Sequence, residues 1–273
     1  MENYLSPEEV TEYTEQVGVK KSNSSFVKTF RLAFMGGIFI ALASIGSLIA
    51  TATIDNQSVA AVIAGVVFAT GLMMVVIGGG DLFTGNVLMF IAVLRKKATV
   101  TKMITNLCTA FLGNLVGSLF IVILINYSST LTFGNGALLK KIFLKGAHKL
   151  EYSFTEAFFL GILCNILVCI AVWLAYSAKD TGGKVLGILF PIMLFILSGY
   201  EHIVANMYYI PAAILAAMNP EYVKLSGIEM EVLEHLRIIN IPHNYIPVLL
   251  GNLIGGIIIG VVYANIYKSE NIT

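Results

Sequence analysis

Two short segments of the sequence carry the side chains best suited to chemistry, and both lie inside long apolar stretches. Residues 79–86 and 199–206 share one pattern: glycine, any residue, an acid, three further residues, a small residue and asparagine. The acids are Asp81 and Glu201, and we expect them to accept hydrogen bonds from the backbone amides of broken helices. His202 adds an imidazole, which near neutral pH can donate a hydrogen bond or a proton to a weakly basic anion.

The composition indicates that these segments belong to a membrane protein. Of the 273 residues, 57% are hydrophobic and only 12% are charged, and the mean hydropathy is +0.84. A soluble domain carries about 25% charged residues, so this chain has too little polar surface to cover a water-soluble globule of its size. The same numbers exclude a disordered chain, and a net charge of +1 argues against binding to nucleic acid.

Six apolar runs are long enough, at about 20 residues or more, to cross a bilayer as helices. They lie at 32–54, 58–80, 101–125, 153–177, 185–218 and 244–266. The second and fifth are interrupted at 78–86 and 198–206, so we expect each of them to form two half-helices. Unpaired backbone groups in hydrocarbon cost several kcal/mol each, so such breaks persist only beside protein or a water-filled path. The half-helices that follow begin with partial positive charge, which attracts anions.

The two ends of the chain are polar and are predicted to lie in the cytoplasm. Residues 1–28 form a segment with an amphipathic helix that begins after Ser6, where Glu9 completes a capping box. A single transmembrane domain follows at 29–268, and residues 269–273 form a short tail. With both ends inside, 11 of the 17 lysine and arginine residues lie on the cytoplasmic side, as the positive-inside rule favours. We therefore expect a multi-pass protein of the cell membrane.

The transmembrane domain contains two similar halves, at about 29–126 and 150–268. Besides the two segments with the shared acid, Ala-Phe-x-x-Gly recurs at 33–37 and 157–161, and Leu-Gly-Asn-Leu-aliphatic-Gly recurs at 112–117 and 250–255. Because each half has three spans, the second must be inserted upside down relative to the first, which puts a permeation site near the midplane. The paired glycines allow close helix contacts within or between protomers, and the paired asparagines are expected to form interhelical hydrogen bonds. These asparagines are Asn86, Asn206, Asn114 and Asn252.

In these motifs the chain resembles the formate–nitrite transporter family. The resemblance rests on Gly-Asp-Leu-Phe-Thr at 80–84 and Ser-Gly-Tyr-Glu-His-x-x-Ala-Asn-Met at 198–207, and it extends over essentially the whole chain. It implies an aquaporin-like, all-α fold of six transmembrane helices, assembled as a pentamer with one pore in each protomer. Family members include formate, nitrite and hydrosulfide channels.

The resemblance also implies roles for individual residues. His202 would lie at the pore centre, with Thr84 opposite it as a hydrogen-bond partner. A helix cap for the half-helix that starts near Gly85 is the other interpretation of Thr84, and the two are compatible. Lys149 and Asn165 match a polar pair near the outer vestibule. Apolar constrictions, which strip water from an ion, are expected from Leu82, Phe83, Phe68, Leu72 and Phe195.

The sequence therefore predicts a channel or proton-coupled transporter for small monovalent anions, with formate first and proton exchange at His202. Nitrite and hydrosulfide stay open as substrates, because the expected filter residues do not distinguish them. The N-terminal 1–25 segment is predicted to regulate opening from the cytoplasmic side in response to pH. The expected partners are the anion, a proton, the lipid bilayer and further copies of the chain.

Two other classes of protein fit the sequence less well. An aquaporin-type pore for neutral solutes would need two Asn-Pro-Ala boxes, and the chain has only Asn219-Pro220, which Glu221 follows. A membrane-embedded enzyme would need a metal cluster or a nucleophile with its base, and the apolar runs contain neither pattern. We therefore predict no enzymatic activity, no metal and no cofactor.

Overall fold

The structure is a computed structural model that describes residues 4–267, and its regular structure is helical, in agreement with the all-α class expected. The predicted 269–273 tail lies outside the described residues. The α-helices are α1 (Pro7–Ser22), α2 (Phe26–Thr51), α3 (Gln57–Gly78), α4 (Phe83–Asn86), α5 (Phe90–Leu94), α6 (Val100–Asn126), α7 (Ala137–Glu151), α8 (Phe154–Ser177), α9 (Thr181–Leu197), α10 (Ile203–Ala217), α11 (Pro220–Ser226), α12 (Met230–Glu234) and α13 (Ile241–Ile266).

Within the described part of the chain, five helices are long and apolar enough to cross a membrane. They are α2, α3, α6, α8 and the helical stretch Ile238–Ile266, which contains α13. Three shorter apolar helices accompany them. They are Phe83–Leu94, which joins α4 to α5 through a 3-10 turn, and the separate helices α9 and α10. The run at 185–218 is therefore two helices joined at a break.

Both breaks fall inside the segments that the sequence singles out. Residues 79–82 separate α3 from α4, and residues 198–202 separate α9 from α10. In each break a glycine has a positive φ, 94° at Gly79 and 70° at Gly199, which glycine adopts without the steric penalty of other residues. The breaks are narrower than expected, because each helix resumes before the shared small residue and asparagine.

The two halves of the chain pack in the same manner. In the first half α2 lies against α6, and in the second half α8 lies against α13. A Cβ atom at Gly117 would overlap the carbonyl oxygen of Phe34 in α2, and one at Gly255 would overlap that of Ile162 in α8. The close helix contacts expected of these glycines are therefore made within one protomer.

The N-terminal helix α1 is held against α5 and α8. Its first turn has the predicted capping box, in which Glu9 N–H donates to Ser6 Oγ at 3.2 Å and Ser6 N–H donates to the Glu9 carboxylate at 2.7 Å. These bonds, first the one from the Ser6 backbone, lower the pKa of Glu9. Further along α1, Val10 is buried in a cluster that includes Trp173 of α8 and Ala264 of α13.

Candidate functional site

Two cavities lie at opposite ends of α3. The outer vestibule, as we call the first, has a volume of about 260 Å³ and is lined by the beginning of α3, by α7 and by the start of α10. The inner vestibule has a volume of about 290 Å³ and is lined by the end of α3, by α1 and by the break before α4. The two cavities share no lining residue, so the side chains between them form a barrier.

At this barrier Thr84 and His202 form a hydrogen bond, and both side chains are buried. Thr84 Oγ1 and His202 Nε2 are 3.0 Å apart. Each residue lies where a half-helix begins, since Thr84 is in α4 and His202 is the residue that caps α10. The interpretation of Thr84 as a helix cap is wrong, because α4 already begins at Phe83 and its cap position is Leu82.

The capping bond determines which nitrogen of the His202 ring carries the hydrogen. The amide of Ala205 donates to Nδ1 at 3.2 Å, so Nδ1 has no hydrogen, and in the neutral ring Nε2 carries it. Nε2 therefore donates to Thr84 Oγ1. The hydroxyl hydrogen of Thr84 is then left for another acceptor, and the pair can act as a hydrogen-bond donor toward an anion.

Apolar side chains flank this pair on both sides. Phe195 lines the outer vestibule, and its ring centroid is 5.9 Å from that of His202. Phe68 packs edge-on against Phe195 at 5.5 Å and lines neither vestibule. On the opposite side Leu72 and Leu82 line the inner vestibule. Phe195, Leu72 and Leu82 are thus positioned to narrow a path between the cavities.

Phe83 is buried against a neighbouring helix. It lines neither vestibule, and its ring packs edge-on against Phe111 of α6, with the centroids 6.1 Å apart. Successive residues of a helix point about 100° apart, so neighbouring side chains cannot share one direction. Because Thr84 faces His202, the preceding Phe83 is turned toward α6. Its expected place in a constriction stays a prediction.

Asn165 is misplaced by the sequence interpretation. Its Nδ2 atom donates to the carbonyl oxygen of Thr84 at 3.2 Å and to that of Asn252 at 2.6 Å. It is fully buried and lines neither vestibule. The expected polar pair with Lys149 near the outer mouth does not form, and Asn165 instead joins the first half-helix to α13.

Lys149 forms a buried ion pair with Glu201. Lys149 Nζ and Glu201 Oε1 are 2.6 Å apart, and the two side chains are only 4% and 2% exposed. Glu201 Oε2 accepts from Asn206 at 2.7 Å and from Asn244 at 3.2 Å. Asn244 also donates to the backbone carbonyl of Lys149 at 2.7 Å. Burying a charge is costly unless it is paired and hydrogen-bonded, and here both conditions are met.

The first half of the chain repeats this arrangement around Asp81. Lys21 Nζ lies 2.7 Å from Asp81 Oδ1 and donates to Asn86 at 2.5 Å. Asn86 donates to Asn106 at 2.8 Å, and Asn106 donates to the backbone carbonyl of Lys21 at 3.2 Å. Burial acts to lower the pKa of Lys21, but the Asp81 carboxylate outweighs it and the pKa is raised. The correspondence of the two halves thus extends to α1 and α7.

Asparagine side chains, rather than the carboxylates, satisfy the backbone at the breaks. Asn114 accepts from the first amide of α4 and donates to the Asp81 carbonyl, both at 2.9 Å. Asn252 accepts from the first amide of α10 and donates to the Glu201 carbonyl, again both at 2.9 Å. The expectation that the side chains of Asp81 and Glu201 accept from the loop amides is therefore wrong.

The sequence interpretation did not find Lys21, Asn106 and Asn244. A signal existed for the asparagines, because Asn106 precedes Asn114 by eight residues and Asn244 precedes Asn252 by the same interval. Lys21 gave no such signal, since the connection from α1 to α2 differs in length from that between α7 and α8.

Among residues 4–267, no three or more His, Cys, Asp or Glu side chains are grouped so that they could hold a metal ion.

Comparisons with known proteins show which family and which solved structures this chain is similar to. The family described as formate/nitrite transporter matches residues 8–265. The formate channel FocA of Escherichia coli is 36% identical, over 98% of this chain and 96% of that protein, and FocA of Haemophilus influenzae is 38% identical, over 97% and 96%. A solved structure described as a pentameric formate channel with formate bound is similar with a TM-score of 0.80 and 33% identity, over 89% of this chain and 97% of that one.

Proposed function

The chain belongs to the formate/nitrite transporter family, and on that premise we propose that it conducts formate across the cell membrane. With several helices able to span a bilayer, it is a multi-pass membrane protein, and like its relatives it is a channel or transporter rather than an enzyme. The observation that carries the proposal is the buried Thr84–His202 hydrogen bond between two vestibules. We propose a pentamer with one pore in each protomer, the assembly named for a relative of similar fold.

The proposal puts both termini in the cytoplasm. Its basis is that 11 of the 17 lysine and arginine residues then lie on the cytoplasmic side. The inner vestibule, which α1 lines, would face the cytoplasm, and the outer vestibule would face the exterior.

In this proposal an anion passes Phe195, meets the Thr84–His202 pair and leaves past Leu82 and Leu72. Apolar rings narrower than a hydrated ion remove its water, at a free-energy cost of several kcal/mol for a charge in protein. Two features of the site offset that cost. The Thr84 hydroxyl donates a hydrogen bond, and the N-terminal end of α10 carries partial positive charge.

Proton exchange at His202 requires a change at its other ring nitrogen. Near neutral pH only the imidazolium, and not the neutral ring, can give up a proton. Forming the imidazolium adds a hydrogen to Nδ1, which then can no longer accept from the Ala205 amide. We infer that His202 is a neutral hydrogen-bond donor while it caps α10. When the cap is released, Nδ1 can take up a proton from water, and the imidazolium can then pass the Nε2 proton to a formate oxygen, which leaves the neutral ring protonated at Nδ1.

Flux measured side by side tests the substrate. Initial rates of formate, nitrite and hydrosulfide are compared at equal gradients in liposomes with purified protein and in protein-free liposomes. We expect formate to be carried at least as fast as the other two anions. A preference of about tenfold for nitrite or hydrosulfide, or ~1.4 kcal/mol in barrier height, would overturn the choice of formate. Absence of flux for all three anions would overturn the proposal that the protein is a channel for them.

Removing the hydroxyl group of Thr84 tests the site. Thr84→Val keeps the shape of the side chain but leaves His202 Nε2 without its acceptor, which costs ~1–3 kcal/mol for a buried polar group. We expect formate flux to fall about tenfold or more. Thr70→Val is the matched control, since Thr70 is exposed on α3 and its hydroxyl donates only to the Val67 carbonyl. Normal flux in Thr84→Val would show that the Thr84–His202 pair does not contribute to the path of the anion.

A further inference from the structure

Helix α7 presents three lysine side chains to the outer vestibule. Lys141, Lys145 and Lys149 follow one another at intervals of four residues, which places them on one face of the helix. All three line the cavity of about 260 Å³ that ends at His202. An anion entering this cavity from outside therefore passes along a row of cationic groups.

Two of these lysine side chains are already bound to other groups of the protein. Lys149 Nζ forms an ion pair with Glu201 at 2.6 Å. Lys141 Nζ donates to the backbone carbonyl of Thr51 at 2.6 Å. Lys145 differs, because within residues 4–267 it makes no hydrogen bond or ion pair, and its side chain is exposed to the vestibule. Its ammonium group lies 5.9 Å from the centroid of the Tyr209 ring.

We propose that Lys145 is the anion-capturing residue of the outer vestibule, where it binds the permeating carboxylate before that anion reaches Phe195. The proposal rests on the proposed function and names a binding residue for it. It places the attraction of anions one helical turn away from Lys149, the residue that the family resemblance puts near this vestibule. Lys149 is not available to bind the anion, because its ammonium group is bound to Glu201 at 2.6 Å.

The groups around Lys145 lower its pKa, so the outer pH determines whether its side chain is charged. The titratable groups that face it across the vestibule are Lys141, Lys149, Glu201, His202, Tyr200 and Tyr209. Partial desolvation and, second, the charge of Lys149 lower the pKa of Lys145 to about 8. A lysine with a lowered pKa is charged below that pH and loses its charge as pH rises through it. Capture of anions should therefore weaken as the outer pH rises from about 7 to 9.

Planar-bilayer currents carried by formate test this residue with variants of matched size. In Lys145→Gln the half-saturating formate concentration should rise about 3- to 10-fold at low ionic strength, and less at high salt. Lys145→Arg should keep the wild-type value. The control is Lys140→Gln, because Lys140 is an exposed lysine of the same helix that does not line the vestibule. An unchanged half-saturating concentration in Lys145→Gln, or the same shift in Lys140→Gln, would overturn the proposal.

The pH response provides a second test with the same preparation. Raising the pH from about 7 to 9 should weaken formate currents only from the chamber that faces the outer vestibule, and Lys145→Arg should abolish that response. A response that persists in Lys145→Arg would overturn the proposal.

A binding measurement separates this inference from the proposed function. If the wild-type protein carries no formate current, the proposed function fails, and NMR of the ¹³C-methylated lysines still decides the role of Lys145. A formate-dependent shift of one lysine signal, absent in Lys145→Arg, would support capture. No such shift in the wild-type protein would exclude it.

Discussion

Removing one partner of the Lys149–Glu201 ion pair should destabilise the protein far more than removing both charges together. Loss of one member of a buried ion pair costs ~3–5 kcal/mol, because the other charge is left uncompensated. In Lys149→Met, Glu201 would keep two amide donors, from Asn206 and Asn244. These donors stabilise the carboxylate in part, so we expect a loss near the lower end of that range, about 3 kcal/mol.

The apparent free energy of unfolding, measured by denaturant titration of the micelle-solubilised protein, checks this value. The double variant Lys149→Met with Glu201→Gln buries no charge and should return to within ~1 kcal/mol of the wild type. Lys21→Met is the matched control in the other half of the chain. Lys21 is 23% exposed, so water screens its pair with Asp81 and the expected loss is smaller, about 1 kcal/mol.

Two results would refute this reasoning. One is a Lys149→Met variant that unfolds within ~1 kcal/mol of the wild type, since Glu201 would then be compensated without its lysine. The other is a double variant as unstable as the single one, because the loss would then come from packing around Lys149 and not from an unpaired charge. Lys149 also lies 5.4 Å from the centroid of the Tyr209 ring, so a packing contribution is a real competitor.

The other predictions concern selectivity and gating. Replacing His202 by glutamine removes the titrating group, so the pH dependence of formate flux in liposomes should change, and an unchanged pH dependence would assign the proton to another group. Phe195→Ala should raise chloride leak several-fold, whereas Phe190→Ala at an exposed position of α9 should not, and equal leak in both variants would put the constriction elsewhere. Deleting residues 1–25 removes the part of α1 that lines the inner vestibule, so the pH dependence of opening should change; if it does not, the segment is only an anchor.

The broken helices could be predicted from the sequence because their cause is local. A glycine followed two residues later by an acid, inside an apolar run, is a poor continuation of a membrane helix, and the pattern occurs twice. Gly79 and Gly199 do adopt the positive φ that ends a helix. The Thr84–His202 contact was accessible only through the family resemblance, because 118 residues separate the two side chains.

The partners of the buried polar groups could not be predicted in the same way. The family motif indicates only a place near a vestibule for Asn165, whereas its contacts with α4 and α13 depend on how three distant helices meet. Phe83 is adjacent in sequence to Leu82 and Thr84, but a helix turns adjacent residues to different sides, and its ring packs against Phe111. The partner of Lys149 could not be found from the sequence, since nothing near it in the chain indicates that Glu201 lies beside it.

The inverted repeat separates the scaffold of the site from its chemistry. At the positions that hold the breaks together, the two halves carry equivalent groups: a lysine paired with an acid, and three asparagines. At the positions between them the halves differ, because Leu82 aligns with His202 and Thr84 aligns with Val204. The central hydrogen bond therefore joins one side chain from each half that has no counterpart in the other. The outer vestibule is lined by the His202 imidazole together with Phe195, whereas the inner vestibule is lined by Leu82 and Leu72, so a symmetric scaffold supports two chemically different entrances.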